Sequence, residues 1–194
     1  MHISDFDYEL PEELIAQHPL PERDASRMLV VNRATGTFED RKFTSFPGYL
    51  RAGDCLVLNN TKVFPARLLG RRIPTGGSIE LLLLRELAAG KWQVLARPAR
   101  RLQVGGQLEF RQSKLTGTVL EVLEDGMRVI HFEPSDGLLN VIAEIGEPPL
   151  PPYIKRDSGA ASEDRDRYQT VYAQETGAIA APTAGVHFTP HILE

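Results

Sequence analysis

Residues 76–97 read GGSIELLLLRELAAGKWQVLAR, and how this stretch divides decides the fold. The pair Gly76-Gly77 opens it and Ala89-Gly90 breaks it, so two strands are predicted, over 78–87 and 91–97, joined by a tight turn. Leu81 to Leu84 is an uninterrupted apolar run, which suits a strand covered on both faces. Trp92 reads as a core ring. The same rhythm continues on both sides: strands are predicted over 62–72, 107–112, 116–124 and 127–133. Gly105-Gly106 and Asp125-Gly126 mark turns, and Gly117 a bulge. In the last strand Met127, Val129 and His131 alternate with Arg128, Ile130 and Phe132, so both faces carry apolar groups. Short strands at near-regular spacing with glycine turns point to a small closed or half-closed antiparallel barrel.

Upstream, Pro11 to Gln17 is predicted as a short helix with proline at its start and acids in its first turn. His18-Pro19 ends it. A polar loop with Arg23 follows. Met28–Val31 and Thr37–Asp40 read as a strand and its return around Thr35-Gly36, and Phe43 to Leu50 as a short helix or turn. Cys55 to Leu58 reads as a buried strand with Cys55 as a small core residue. It delivers Asn59, Asn60 and Thr61 at its C-terminal end, where α/β sheets bind ligands. Those side chains could fix a ribose or a base edge, or simply bond their own turn.

Downstream, Ser135-Asp136 is the expected cap of a helix over 137–145, with Leu138, Leu139, Ile142 and Ile145 on one face. Gly146 is expected to stop it in a left-handed conformation. Pro148, Pro149, Pro151 and Pro152 make a stiff extended connector. Residues 157–167 read as a mobile polar segment. Beyond them, YQTVYAQETGAIAAPTAGVHFT (168–189) brings two tyrosines, a run of small residues that lets backbone approach backbone or ligand, and then His187 and Phe188.

Across the 194 residues, 42% are hydrophobic and 25% charged, an ordinary globular composition, and the net charge is −4. That balance argues against a general nucleic-acid binder, although Arg67, Arg71 and Arg72, and again Arg97, Arg100 and Arg101, cluster. One cysteine excludes an internal disulfide. No leader-like start and no apolar run near the ~20 residues of a membrane span is present, so a cytoplasmic protein is expected. Gly-x-G fingerprints, a phosphate loop ending Gly-Lys-Ser, and zinc-spaced ligands are all missing.

Several words of the sequence resemble one family. YQTVYA with AAPTAGVHFT, GEPPLPPYIKR (146–156), LPEELIAQHPLPERDASRML (10–29) and GDCLVLNNTKVFPARLLG (53–70) are similar to the S-adenosylmethionine:tRNA ribosyltransferase-isomerases of queuosine biosynthesis. The resemblance implies a mixed α+β fold: an α/β domain (1–61 and 148–194) interrupted by an inserted antiparallel β-barrel of about six strands (62–147). On that reading the proline connector returns the chain to the first domain and brings Tyr153, Lys155 and Arg156 near the Asn59 loop. Family members run well beyond this length, and Thr189-Pro190 starts a helix with only one turn of chain left. The expectation is therefore the N-terminal part of a longer, monomeric protein.

The implied reaction moves the ribosyl group of S-adenosylmethionine, a substrate and not a cofactor, onto 7-aminomethyl-7-deazaguanine at the tRNA wobble position. Epoxyqueuosine, adenine and methionine would result. The sulfonium acidifies the adjacent C5′ hydrogens, adenine leaves more easily when its ring nitrogens accept protons or hydrogen bonds, and the amine must attack uncharged. His187 is the expected acid/base. Tyr168, Tyr172 and Phe188 are candidates for stacking on adenine or facing the sulfonium, and Thr183, Gly185 and Thr189 for hydrogen bonds. Arg156, Lys155 and Arg23 are candidates for phosphates or the methionine carboxylate. No metal or cofactor is expected. A non-catalytic RNA-binding barrel and an inactive piece of the enzyme are the rival readings.

Overall fold

The computed structural model describes residues 1–110, 113–156 and 162–194. Single 3-10 turns at Ile3–Phe6, Glu12–Leu14 and Arg23–Ala25 precede the first strands. β1 (Arg27–Asn32) and β2 (Thr37–Lys42) form an antiparallel hairpin in register from Arg27↔Lys42 to Asn32↔Thr37. Asn32 Oδ1 accepts from the N–H groups of Ala34 and Thr35, which shapes its turn. A 3-10 segment, Phe43–Tyr49, follows. β3 (Thr61–Val63) is a three-residue strand.

Six strands then close on themselves: β4 (Arg67–Ile73), β5 (Ser78–Ala88), β6 (Lys91–Arg97), β7 (Gln107–Phe110), β8 (Thr116–Val122) and β9 (Met127–Glu133). The order is β4-β5-β6-β9-β8-β7, antiparallel throughout, with β7 returning to β4. Every second residue points inward: Ile79, Leu81 and Leu83 from β5, Trp92, Val94 and Ala96 from β6, Ile130 and Phe132 from β9. Gly70 makes the closing seam possible. A Cβ there would lie 2.6 Å from the Glu109 carbonyl oxygen and 2.9 Å from the Phe110 ring.

α1 (Leu138–Ile145) lays Leu138 and Ile142 onto the barrel core. α2 (Ser162–Arg167), β10 (Glu175–Ala178), a 3-10 turn at Thr183–His187 and α3 (Pro190–Leu193) complete the described chain. β10 pairs in parallel with β3. Among the described residues no helix is long and apolar enough to cross a membrane.

The barrel matches the sequence expectation, and β6 and β9 match it residue for residue. Several local readings need correction. Only Glu12–Leu14 of the expected Pro11–Gln17 helix is helical, as a 3-10 turn. The predicted strand over 62–72 is two strands, because Phe64 and Pro65 carry the chain from the β10 partner to the barrel. Leu81–Leu84 is not covered on both faces: Leu81 and Leu83 are fully buried while Leu82 and Leu84 are half-buried.

Cys55–Leu58 is neither a strand nor buried. Val57 is 86% exposed and Cys55 is exposed. Among the described residues nothing pairs with its backbone, and an apolar run without a partner has no ladder to join. Neither Ser135 nor Asp136 caps α1; Gly137, left-handed at φ 70°, occupies that position. Leu139 is exposed. Gly146 is extended, with φ −74° and ψ 153°. It is glycine for another reason: a Cβ would collide with the carbonyl oxygens of Pro65 and Ile142. Residues 111–112 of the predicted β7 and 157–161 of the polar segment lie outside the described residues, whereas 162–167 form α2.

Candidate functional site

Short as it is, α2 fastens three parts of the chain together, and its alternating charges each have a separate target. Arg165 donates to the carbonyls of Ala143 (3.0 Å), Glu144 (3.3 Å) and Gly146 (2.7 Å), satisfying the open C-terminal carbonyls of α1. Arg167 donates to the carbonyls of Leu20 and Pro21. Asp164 receives both Nε and Nη2 of Arg156 at 2.9 Å. That pair is buried, with side-chain exposures of 9% and 4%, and the carboxylate holds Arg156 firmly in its charged form, above its usual value. Bidentate geometry of this kind is the strong form of the ion pair.

Two glutamines do the work of missing strands. Gln17 Nε2 donates to the Tyr153 carbonyl while its Oε1 accepts from the Lys155 N–H. Gln169 accepts from the Val63 N–H at 3.0 Å and donates to the Val63 carbonyl at 2.6 Å, extending β3. Lys155 Nζ lies 2.8 Å from Glu12 at the surface.

Between these elements and the barrel wall lie two adjoining cavities. The larger, about 490 Å³, runs between Arg67, Glu80 and Arg97 of the barrel and the Pro149–Pro152 connector. The smaller, about 260 Å³, sits between His18 and Pro19 on one side and Tyr153, Thr183 and Val186 on the other. Ile154, Arg156 and Tyr168 line both. Burial pushes the Tyr168 phenol above the ordinary tyrosine value, and its bond to the Ala181 backbone draws it partly back. Arg67 at the rim is held between Glu80 (2.9 Å) and Glu147 (3.6 Å). The arrangement offers a largely apolar slot with a neutral phenol donor at the junction and a fixed charge pair beneath it. Such a slot suits a flat heterocycle with a polar tail.

The predicted site residues fall into separate groups. Tyr153, Arg156, Tyr168 and Thr183 share the smaller cavity. Tyr172, His187 and Phe188 instead join Phe43 and Phe46 in a ring cluster with centroids 5.1 to 6.1 Å apart. Phe188 is 6% exposed at its centre and is core for this half of the molecule. Gly185 lets the Tyr172 hydroxyl approach; a Cβ would strike it and the Thr170 methyl. Tyr168 and Tyr172 do not share a helical turn, since α2 ends at Arg167.

His187 Nδ1 lies 3.2 Å from the Ala184 carbonyl. Thr189 caps α3 and donates to Asp24 at 3.2 Å. Asn59 Oδ1 accepts from the Thr61 N–H, the turn-forming reading, and the Asn60 carbonyl accepts from Gln174 and Glu175. The Asn59 turn thus meets the start of β10, while Lys155 and Arg156 are bonded to Glu12, Gln17 and Asp164. Arg23 donates to the carbonyls of Asp166 (2.6 Å), Gln169 (2.8 Å) and Val186 (3.1 Å), and so ties α2 to the His187 turn. Among the described residues no group of His, Cys, Asp and Glu could hold a metal ion.

Asp164, Arg165, Arg167, Gln17 and Gln169 were missed in the sequence. A charged SEDRDR run gives no sign that its side chains serve carbonyls elsewhere.

The family description "Queuosine biosynthesis protein" matches residues 3–194. A curated relative from Halothermothrix orenii, named S-adenosylmethionine:tRNA ribosyltransferase-isomerase, is 51% identical over the whole chain, which spans 56% of that relative. A solved S-adenosylmethionine tRNA ribosyltransferase from Thermotoga maritima is 38% identical over 98% of this chain and 52% of its own, with a TM-score of 0.38, too low for the two arrangements to be compared. This chain belongs to the queuosine biosynthesis protein family.

Proposed function

We propose that the protein transfers and isomerises the ribosyl group of S-adenosylmethionine onto 7-aminomethyl-7-deazaguanine in tRNA, giving epoxyqueuosine, adenine and methionine. The observation that carries this reading is the pair of cavities meeting at Tyr168 and Arg156, in a chain 51% identical to an enzyme of that name. The smaller cavity takes the adenosyl group. There the Tyr168 phenol, a neutral donor at neutral pH like any tyrosine and pushed further from ionisation by burial, donates toward a purine nitrogen and eases departure of adenine. Arg156 is already neutralised by Asp164, so its role is to fix the floor rather than to capture a free anion. His187 is the assigned acid/base. Tyr153 and Thr183 flank the substrate, while Asn59, Asn60, Thr61, Tyr172, Gly185, Phe188 and Thr189, which line neither cavity, belong to the turns and the ring cluster that support this region.

In this reading residues 1–61 and 148–194 form one α/β domain around the inserted barrel (62–147), and the protein acts in the cytoplasm as a monomer. S-adenosylmethionine is consumed as substrate and no separate cofactor takes part. The test is adenine release from S-adenosylmethionine and tRNA bearing the 7-aminomethyl base, using the full-length gene product and the 194-residue chain in parallel. Adenine from the full-length protein is expected, with His187→Ala slowed by about 10²–10⁴-fold. No adenine from the full-length protein, with tRNA of verified modification state, overturns the assignment.

A further inference from the structure

We infer that the turn Ala99–Arg101, together with Arg97 at the end of β6, is a contact surface for the phosphate backbone of the tRNA; this rests on the tRNA reading above. Two arginine clusters stand out in the sequence, and the structure separates them. In the first, Arg67 is paired with Glu80 and Glu147 and the guanidinium of Arg72 folds over Gly77 of its own turn, which leaves only Arg71 exposed and without an ion pair among the described residues. In the second, Arg97, Arg100 and Arg101 are all exposed, and none makes an ion pair among the described residues.

Beneath this turn lies a fourth cation. Arg128 points into the barrel end at 4% exposure. Its Nε donates to the Leu102 carbonyl at 2.9 Å, Nη2 to the Ala99 carbonyl at 2.6 Å, and Nη1 to the Met127 carbonyl at 2.6 Å. No carboxylate among the described residues neutralises it. Glu124 and Asp125 sit on the neighbouring turn, whose Gly126 carbonyl accepts from Ala96, yet neither pairs with any of these four arginines. Gathering four unpaired guanidiniums costs stability by mutual repulsion and, for Arg128, by desolvation. The fold gains only a pinned turn from Arg128, and nothing from Arg100 and Arg101. An anionic partner accounts for the rest.

Rigidity fits the same role. Leu102 is buried at 1% exposure, and Gln103 Nε2 holds the Arg100 carbonyl at 3.0 Å. The side chains are displayed from a fixed backbone on an open surface, not converged into a pocket, which suits successive phosphates of a strand over a single small anion. Arg97 also lines the larger cavity, so a backbone held on the turn leads directly to the place where a base would react.

The test uses the full-length protein and measures binding of the 7-aminomethyl-bearing tRNA over a range of salt concentrations. For Arg100→Gln/Arg101→Gln, the slope of log affinity against log salt is expected to become shallower by about 1.5, from roughly 0.7–0.9 per lost phosphate contact. The Lys/Lys counterpart is expected to keep the wild-type slope, with both variants unfolding at the wild-type temperature. A Gln/Gln variant with unchanged slope and affinity overturns the surface while leaving the enzyme reading intact. So does an equal loss in the Lys/Lys variant, which would mark a structural role. A wild-type protein that does not bind tRNA overturns the tRNA reading itself, and this inference with it.

Discussion

The barrel and the segments flanking it are held together by different physics. From β4 to α1 the core is apolar and self-sufficient: six strands satisfy one another's backbone groups, and the eleven large side chains below 2% exposed among the described residues all lie within 68–142. Residues 1–61 contain no buried residue at all. Leu29, Val31, Phe38 and Val57 face outward at 59 to 86% exposure. What orders that half, beside the ring cluster of Phe43, Phe46 and Phe188, is a set of long polar side chains serving backbone carbonyls across the chain, from Gln17, Arg23, Arg156, Arg165, Arg167 and Gln169. A closed sheet spends its donors and acceptors locally; two short parallel strands cannot, so side chains complete the accounting.

The largest expected effect tests the barrel side of this contrast. Phe132→Ala removes a fully buried ring and should cost about 3–5 kcal/mol in denaturant unfolding. Val57→Ala, at an equally apolar position in the flanking half, should stay within about 0.5 kcal/mol. If the two losses were similar, Val57 would be covered in solution and the contrast would collapse.

On the flanking side the corresponding blow is electrostatic. Asp164→Ala leaves the buried Arg156 guanidinium without its carboxylate, a change expected to cost about 3 kcal/mol. Because the charge pair floors the smaller cavity, protease sensitivity should rise around α2 while the barrel strands keep their slow amide exchange. Uniform loosening of both regions would show that they unfold as one unit.

How far these features could be read in advance follows the same division. β9 was legible to the residue because Asp125-Gly126 and an alternating run are local signals. Cys55–Leu58 carries an equally strong local signal and was misread, since a strand exists only if something pairs with it. Gly146 looked like a left-handed stop. Its requirement comes from Pro65, 81 residues earlier, whose carbonyl occupies the space of a side chain. Gln169 and Val63 are 106 positions apart, and Arg23 and Val186 are 163 apart; no window of sequence contains both partners. At the site, Tyr153, Arg156, Tyr168 and Thr183 were picked out and do come together. Phe188 was picked out for a ligand-facing role and is instead a core ring, since an aromatic beside small residues reads alike in both settings.

Gly146 joins the two regions, which makes it a sharper probe than either alone. Gly146→Ala should cost about 1–3 kcal/mol, because the carbonyls of Pro65 and Ile142 are backbone and cannot swing aside. The loss should appear both in α1 and in the Arg165 bonds that cap it. A neutral substitution would mean that the connector gives way easily, and that the barrel and α2 are coupled only loosely.

The smallest effect concerns Tyr168 and reports on the junction of the cavities. Burial raises its pKa above the ordinary value of about 10. The folded state therefore prefers the neutral phenol, and the unfolded chain gives up that proton first as pH rises. Its contribution to stability is complete below the ordinary tyrosine pKa and is lost as pH climbs through the higher folded value. Ultraviolet titration of tyrosinate should show a component ionising above about pH 10 that disappears in Tyr168→Phe. The same variant should lose less stability than wild type over that alkaline window, even though it gives up the bond to the Ala181 backbone. Tyr172, also raised by burial, remains in the variant as an internal reference. A Tyr168 that ionised at the ordinary value would be a phenol in open water. The slot between connector and α2 would then be open to water, and a hydrogen bond from the phenol to a leaving purine would have to compete with solvent.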